Sequence, residues 1–382
     1  MKKVLIITRH YLDQNNGGSN ASKGFIWSLA RIFHDMTLIY PEHADSKSYD
    51  FIPSNVKFLP VYDHRTLIRK GLDMYRGRVH RFHDFIKSHL STYDYDIIII
   101  DHSFTSIGLM RYIKKTSAKI ITIHHNVEAD YLKDNEPSWL YRIPYDYFVK
   151  KGERDALELS DINLTLTDDD ANKFRSWYPK RDLNLHTIGI CEYKPTVTKL
   201  YETTSFNNIF VISGSLCFKQ SVEPIIDFIN RYFPIMEEVC PGCKLIITGR
   251  NPNKQLFTIC NMHSNIELVP DPDDIDSVIR RASIYICPIY AGSGIKLRVL
   301  DGLRKGLPIL CHQVSSCGYE KFIKEGIMRT YCNENSFRDS LFEIISLKST
   351  NQTVRSAYQD LFSLESGVER FKNVLIKNKL LE

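Results

Sequence analysis

Short runs rich in apolar and β-branched residues, each four or five residues long and separated by stretches with helical spacing, constrain this chain more than any other feature. In the N-terminal half they fall at Val4–Ile7, Met36–Tyr40, Val56–Leu59, Ile97–Ile100, Ile120–Ile123 and Ile162–Leu166, with Phe25, Leu29, Ile32 and Phe33 marking a helix between the first two. A strand that is apolar on both faces belongs inside a parallel sheet covered by helices on both sides. The rhythm pauses over the polar stretch Pro195–Asn208 and restarts with Ile209–Ile212, Leu245–Thr248, Ile266–Val269, Ile284–Cys287 and Pro308–Cys311. Val222, Ile225, Ile226, Ile229, Tyr232 and Phe233 mark a helix in this second half, with Pro224 expected in its first turn. The chain of 382 residues is long enough for two cores. The expectation is an α/β protein of two doubly wound, Rossmann-like domains, one over residues 1–195 and one over 196–365. The stretch Thr353–Leu381 reads as helix, broken near Gly367, and its end, residues 366–382, packs on the second domain or returns to the first.

Composition narrows the function classes. A formal charge of +5 spread along the chain gives no continuous basic arm for nucleic acid. No apolar run reaches the roughly 18–20 residues that cross a bilayer, so the expected location is cytoplasmic with any membrane attachment peripheral. His64–Leu90 is the candidate for such attachment at the inner face, with Arg65, Arg69, Lys70, Arg76, Arg78, Arg81 and Lys87 beside Leu67, Leu72, Tyr75, Val79, Phe82 and Phe85. The alternative is an ordinary surface helix with a solvated basic face. Nine cysteines look like reduced thiols, and Cys240-Pro-Gly-Cys243 reads as a turn between helix and strand.

Ligands of doubly wound sheets bind beyond the carboxyl ends of the strands, so the loops there are where chemistry is sought. Gly292-Ser293-Gly294 follows such a strand and is expected to open a helix through Ile295, Leu297, Leu300 and Leu303. Glycines admit a close ligand, while a helix start offers unpaired amides and a partial positive charge suited to a diphosphate. Lys296 adds a full charge, and Asp301, two turns on, is placed to accept from ribose hydroxyls. A Gly-x-Gly turn alone is weak evidence of this, because it equally makes a plain strand-to-helix connection.

Over about 100 residues the order of parts resembles glycosyltransferase family 4, the group 1 enzymes of GT-B fold. The resemblance rests on Ile284-Tyr-Ile-Cys-Pro288, on Ala291-Gly-Ser-Gly-Ile-Lys-Leu-Arg-Val-Leu-Asp301 and on Gly306-Leu-Pro308. Upstream, Ser213-Gly214-Ser215-Leu216-Cys217-Phe218-Lys219 and Thr248-Gly249-Arg250 look like the loops after the first two strands of the nucleotide domain. The resemblance implies two domains facing across a cleft and a nucleotide diphosphate-sugar donor. Lys219 and Lys296 would contact its diphosphate, the Gly294 and Ile295 amides would cap it, and Asp301 would hold the ribose. Val269–Asp274 would lie near the base, and Ser215, Arg250 and Leu297 complete the donor set. Many relatives carry Glu where this chain has Ser293, a hydroxyl without charge, which bears on sugar identity and activity.

By the same resemblance, Asn16-Gly17-Gly18-Ser19-Asn20 is the glycine loop that faces the donor phosphates. The plain alternative is a loop with Ser19 or Asn20 as helix N-cap. His124-His125-Asn126-Val127-Glu128 follows a strand and looks like the segment whose histidine reaches the reacting sugar. Two adjacent histidines cannot both point into one cleft, so His124 or His125, with Glu128, is the catalytic candidate; Glu153 and Thr167 are weaker ones. Asp94-Tyr-Asp96 precedes its strand, Asp168-Asp169-Asp170 reads as a helix start and Asp271-Pro-Asp273 as a turn, so no essential metal or other cofactor is expected. The implied activity is transfer of a sugar, with retained configuration, to a carbohydrate or lipid-linked acceptor in bacterial surface polysaccharide synthesis. Its rivals are a sugar-nucleotide epimerase of the same fold and a catalytically silent scaffold subunit.

Overall fold

The computed structural model describes residues 2–14, 16–42, 49–75, 83–130, 139–179, 181–193, 206–292, 294–347 and 351–382. These form two compact units, one of residues 1–195 with 362–382 and one of residues 196–361.

The first unit runs β1 (Lys3–Thr8), α1 (Gly17–Ala30), β2 (Asp35–Pro41), β3 (Val56–Val61), α2 (Leu67–Tyr75), α3 (His83–Leu90), β4 (Ile97–Asp101), a 3-10 turn at Ser103–Ser106 and α4 (Met110–Ile113). It continues through β5 (Lys119–His124), α5 (Trp139–Leu159), β6 (Ile162–Thr165), α6 (Asp168–Trp177) and β7 (Leu185–Thr187). All pairings are parallel, in the order β3-β2-β1-β4-β5-β6-β7. Ile97 to Ile100 are fully buried, as a run without polar alternation requires of a central strand.

The second unit runs β8 (Ile209–Ser215), α7 (Lys219–Arg231), α8 (Phe233–Val239), β9 (Lys244–Arg250), α9 (Lys254–Cys260), β10 (Ile266–Pro270), α10 (Ile275–Ile279) and β11 (Ile284–Cys287). Then follow α11 (Val299–Arg304), β12 (Ile309–His312), α12 (Glu320–Lys324), β13 (Met328–Tyr331), α13 (Glu334–Ile345) and α14 (Asn351–Phe362). Its sheet is also parallel, ordered β10-β9-β8-β11-β12-β13. Phe210, Phe228, Phe233 and Phe337 fill the core between this sheet and the helices on one face, each burial contributing roughly 1.5–3 kcal/mol.

Strand order locates the sites. In each sheet the winding reverses, between β1 and β4 in one unit and between β8 and β11 in the other, and it is beyond the strand ends at such a point that doubly wound sheets take their ligands.

Some elements differ from the expectation and others match it. The break in the C-terminal helix falls at Ser363, whose side chain caps α15 (Leu364–Lys377) by accepting from Ser366 N–H. Gly367 lies inside α15, where a Cβ would overlap the Cys191 side chain, so the glycine serves close packing and not a break. Pro224 sits in the second turn of α7, not the first. Of the basic stretch, Leu67–Tyr75 (α2) and His83–Leu90 (α3) are helical, and Arg76, Arg78 and Arg81 lie outside the described residues. Strands β7 and β13 lack the long apolar run that marks the others. Cys240 and Cys243 flank the expected turn, with Cys243 N–H bonded to Cys240 O and both thiols buried. Asp168, Asp169 and Asp170 form the first turn of α6 behind the Thr167 cap.

Candidate functional site

In the first unit, β1, β4 and β5 deliver Arg9, His10, Asp101, His102 and His125 to one place. Asp101 ends β4 and is only 1% exposed; its Oδ1 lies 2.6 Å from His125 Nε2. Burial pushes this carboxyl up, but the charge and hydrogen bond of His125 outweigh burial and hold it below the usual carboxylate range. The His10, His102 and His125 rings form a triangle with centroids 4.9–5.3 Å apart. Burial, then the neighbouring charge of His125, lowers His10 to about 3 and takes His102 well below the ordinary histidine value. Near neutral pH, His10 and His102 are therefore uncharged.

His102 has φ +81°, a left-handed conformation that a non-glycine residue holds only under strain. Its Nδ1 accepts from Phe104 N–H, so the ring proton sits on Nε2, 3.3 Å from Glu128 Oε1. Burial raises Glu128 to about 7 against the pull of Arg9 and His125. Glu153 accepts from Glu128 N–H at 2.6 Å, and burial, with the charge of Glu128, raises it to about 8. The cluster thus combines one fixed carboxylate on an imidazole, two neutral imidazoles and a carboxyl poised near neutrality. That is a set able to take up and release a proton. Among the described residues, His10 Nε2, Ser19 Oγ and Ser103 Oγ are buried without a protein partner at these strand ends and the start of α1, where a polar ligand would satisfy them.

Asn16 caps α1, accepting from Ser19 N–H at 2.9 Å. Gly17, Gly18 and Ser19 are therefore the first helical turn, and neither Ser19 nor Asn20 is the cap. A Cβ on Gly18 would overlap the His10 ring, so the glycine is what lets that ring lie against the helix. Of the two adjacent histidines, His125 joins the cluster and His124 does not. Alternation along β5 turns His124 to the opposite face, where its Nε2 meets Asn163 Oδ1 at 3.0 Å beside Phe174. His124 is fully buried and lowered to about 4 by that burial, and of the two adjacent catalytic candidates it is the one the fold keeps apart from the cluster. Asp101, His10 and His102 were missed from sequence. Each follows or ends an apolar run, which is the available signal, but the strand order that unites them is not written locally.

In the second unit, β8 and β9 end in register at Gly214 and Gly249, with φ +141° and +154°. A Cβ on Gly249 would overlap the Gly214 carbonyl, so the two backbones pass closer than any side chain permits. The Arg298 guanidinium lies over Gly214, about where a Cβ would reach it at 3.0 Å. Its NH2 donates to Ser221 Oγ at 2.9 Å, and its buried NH1 has no partner among the described residues. Lys296 Nζ braces its own loop, donating to Gly292 O at 2.6 Å and Gly294 O at 3.2 Å.

The helix expected to open at Gly294 begins at Val299. Gly294 has φ +70°, which an α-helix excludes, and i to i+3 bonds from Val299, Leu300 and Asp301 back to Lys296, Leu297 and Arg298 form a tight turn first. Ile295, Lys296 and Leu297 therefore precede a six-residue helix, so they do not lie in the first turn of a helix as expected. Ser293 lies outside the described residues.

Asp301, in the first turn of α11, accepts from Ser213 Oγ at 3.3 Å and pairs with Arg304 at 3.2 Å. Ser213 also meets Tyr285 Oη at 2.8 Å, and Arg304 reaches Asp276, which in turn holds the buried Lys305. Burial raises the Asp301 carboxyl despite Arg304, Ser213 and Arg298. Lys219 opens α7 on the surface and pairs with Glu223 at 3.4 Å. Ser215 lies beside Cys217, and Arg250 is exposed at the end of β9, its carbonyl accepting from Leu216 N–H. Thr248 donates to the Val269 carbonyl, and Asp271 accepts from Asn251 N–H, tying the two loops together. Arg298 carries no local signal of a role, because its place over Gly214 depends on a fold contact 84 positions away in sequence.

Residues 207–346 match the model of the family described as Glycosyl transferases group 1. A protein of Klebsiella pneumoniae described as an uncharacterized 44.6 kDa protein in cps region is 23% identical over 239 residues, 59% of this chain and 59% of that protein. Among solved structures, sucrose-phosphate synthase of Thermosynechococcus elongatus aligns over 100% of both chains with a TM-score of 0.71 at 12% identity. WaaG, a glycosyltransferase involved in lipopolysaccharide biosynthesis, aligns over 98% of this chain and 99% of its own with a TM-score of 0.61 at 14% identity. Anabaena HepE in complex with UDP aligns over 98% and 100% with a TM-score of 0.66 at 10% identity. The fold shared with these structures is GT-B.

Proposed function

We propose that this GT-B chain, whose residues 207–346 carry the group 1 glycosyl transferase pattern, moves a sugar from a nucleotide diphosphate-sugar to a carbohydrate or lipid-linked acceptor. The observation that carries this reading is Arg298 over Gly214, a half-buried guanidinium whose buried NH1 has no partner among the described residues, at the switch point of the second sheet. A phosphate oxygen is the ligand that satisfies such a group. The diphosphate would lie against Arg298, Lys296 and the Gly294, Ile295 and Leu297 backbone, with Lys219 and Ser215 alongside. Asp301 would accept from the ribose, and Val269 and Arg250 would flank the base. The Klebsiella relative's cps region and the lipopolysaccharide role of WaaG support a place in polysaccharide synthesis.

In the first unit, His125 and Glu128 would serve the reacting hydroxyls, with Gly17, Gly18 and Ser19 beside them. As the bond from the anomeric carbon to the phosphate oxygen breaks, its electron pair goes to the diphosphate. The acceptor hydroxyl oxygen forms the new bond to that carbon, its proton passes to the departing phosphate oxygen, and the cations of Arg298 and Lys296 steady the charge in place of a divalent metal. Configuration would be retained, as the family resemblance implies. The test is to incubate the full chain with nucleotide sugars and an oligosaccharide or lipid-linked acceptor, with and without excess chelator. Acceptor-dependent release of nucleoside diphosphate that persists in chelator supports the reading; loss restored by manganese overturns its metal-free part.

Buried carboxyls near neutrality at Glu128 and Glu153 favour one rival, a sugar-nucleotide epimerase, which needs acid and base groups of that kind. Conversion of the donor sugar without acceptor would establish it over the transferase.

A further inference from the structure

We propose that the second unit holds a saccharide-binding pocket separate from the donor residues, shaped for one neutral pyranose ring. The pocket lies between α7 and the loops that follow β11, β12 and β13, has a volume of about 260 Å³, and is lined by Asp227, Arg231, Tyr232, Tyr290, His312 and Tyr331 among others. None of Ser215, Lys219, Lys296, Arg298 and Asp301 lines it.

Four of its lining rings touch one another in sequence, from Tyr290 through His312 and Tyr331 to Tyr232. His312 meets Tyr331 edge-on at 5.5 Å and Tyr290 at 6.2 Å, and Tyr331 packs on Tyr232 at 4.9 Å. Tyr290 stands at the rim, 42% exposed, with a face available to solvent. Between the rings sit a carboxylate, a guanidinium and an imidazole. His312 Nδ1 accepts from Val314 N–H, which leaves the ring proton on Nε2 as a donor. Tyr331 is 2% exposed, and its Oη has no partner among the described residues.

These groups select the ligand. Asp227 and Arg231 pair with each other at 3.6 Å, and Arg231 also reaches Glu334 at 3.1 Å, so the charges of the wall are offset and favour neither an isolated cation nor an isolated anion. A neutral ring with apolar C–H faces and a rim of hydroxyls uses both wall types, stacking on tyrosine while its hydroxyls meet acceptor and donor side chains. The volume lies just under the roughly 300–1,000 Å³ of pockets for larger ligands, which fits a single sugar unit. Pro288 and Tyr290 line the pocket and lead directly into Gly292, so a sugar held here lies next to the glycine loop in the same unit.

The test does not depend on the transferase reading. Methyl α-D-glucopyranoside, methyl β-D-galactopyranoside and N-acetylglucosamine are titrated into the full chain by saturation-transfer NMR, with choline and acetate as cationic and anionic controls. At least one sugar is expected to bind with Kd on the order of 1 mM, while the controls do not, and saturating UDP is expected to leave that binding in place. Tyr290→Ala and Asp227→Asn, both at solvent-reachable positions, are each expected to weaken it at least five-fold with the circular dichroism unchanged. No binding by any of the three sugars, unchanged affinity in both variants, tighter binding of choline or acetate, or displacement by UDP would each overturn the proposal.

Discussion

Asp101 meets His125 through one short bond, and in the proposed reaction it acts through that ring as a positioning residue. Asp101→Asn keeps the shape but loses the charge that fixes the imidazole. It is expected to lower kcat about 100-fold or more, the lower end of what a positioned acid or base contributes, with KM for the donor little changed. Equal loss in kcat and in thermal stability would point to a merely structural bond. Glu128 and Glu153 give a second expectation at this scale. Both hold their protons to higher pH in the folded state than the usual value of 4.5, so between that value and about 7–8 the folded protein binds more protons than the unfolded one. Stability must then fall as pH rises across that window. The double variant Glu128→Gln with Glu153→Gln should flatten this slope in urea melts at pH 5 and pH 8, recovering on the order of 1–3 kcal/mol at the higher pH. An unchanged slope contradicts the assignment. The adjacent histidines show what sequence holds at this scale: alternation says that His124 and His125 face opposite ways, but not which of them faces the cluster.

Elements were more legible than side chains. Continuous apolar runs such as Ile97–Ile100 announce buried parallel strands because nothing else buries both faces of so short a segment. Strand β13, Met328-Arg-Thr-Tyr331 at the sheet edge, carries polar residues on its half-exposed positions and so gives no such signal. The start of α11 was misplaced because apolar spacing continued through a glycine whose φ excludes a helix. Helix α2 supports a further prediction. Leu67, Ile68 and Leu72 are exposed on it, while Arg65, Arg69 and Lys70 each face Asp63 or Asp73. If this helix docks on membranes, apolar insertion and not charge must drive it. Co-sedimentation with vesicles containing anionic lipid should then survive 0.5 M salt and fall sharply in Leu67→Ser with Ile68→Ser. Release by salt alone would contradict this.

At the scale of the molecule, two sheets of the same winding were readable from the restart of one rhythm after a polar pause, because each βαβ unit is a local pattern. Which loops meet was not readable, since strand order decides it, and that is why Arg298, Asp101, His10 and His102 emerge only from the fold. Among the described residues no helix is long and apolar enough to cross a membrane. The proposed transfer requires above all that the second unit grip a diphosphate through Arg298. Calorimetric titration of UDP, ADP, GDP and CDP into the full chain, and into Arg298→Ala, tests this most directly. At least one nucleoside diphosphate should bind the wild type, and the variant should bind it at least ten-fold more weakly. Failure of all four to bind, or equal affinity in the variant, would contradict the claim.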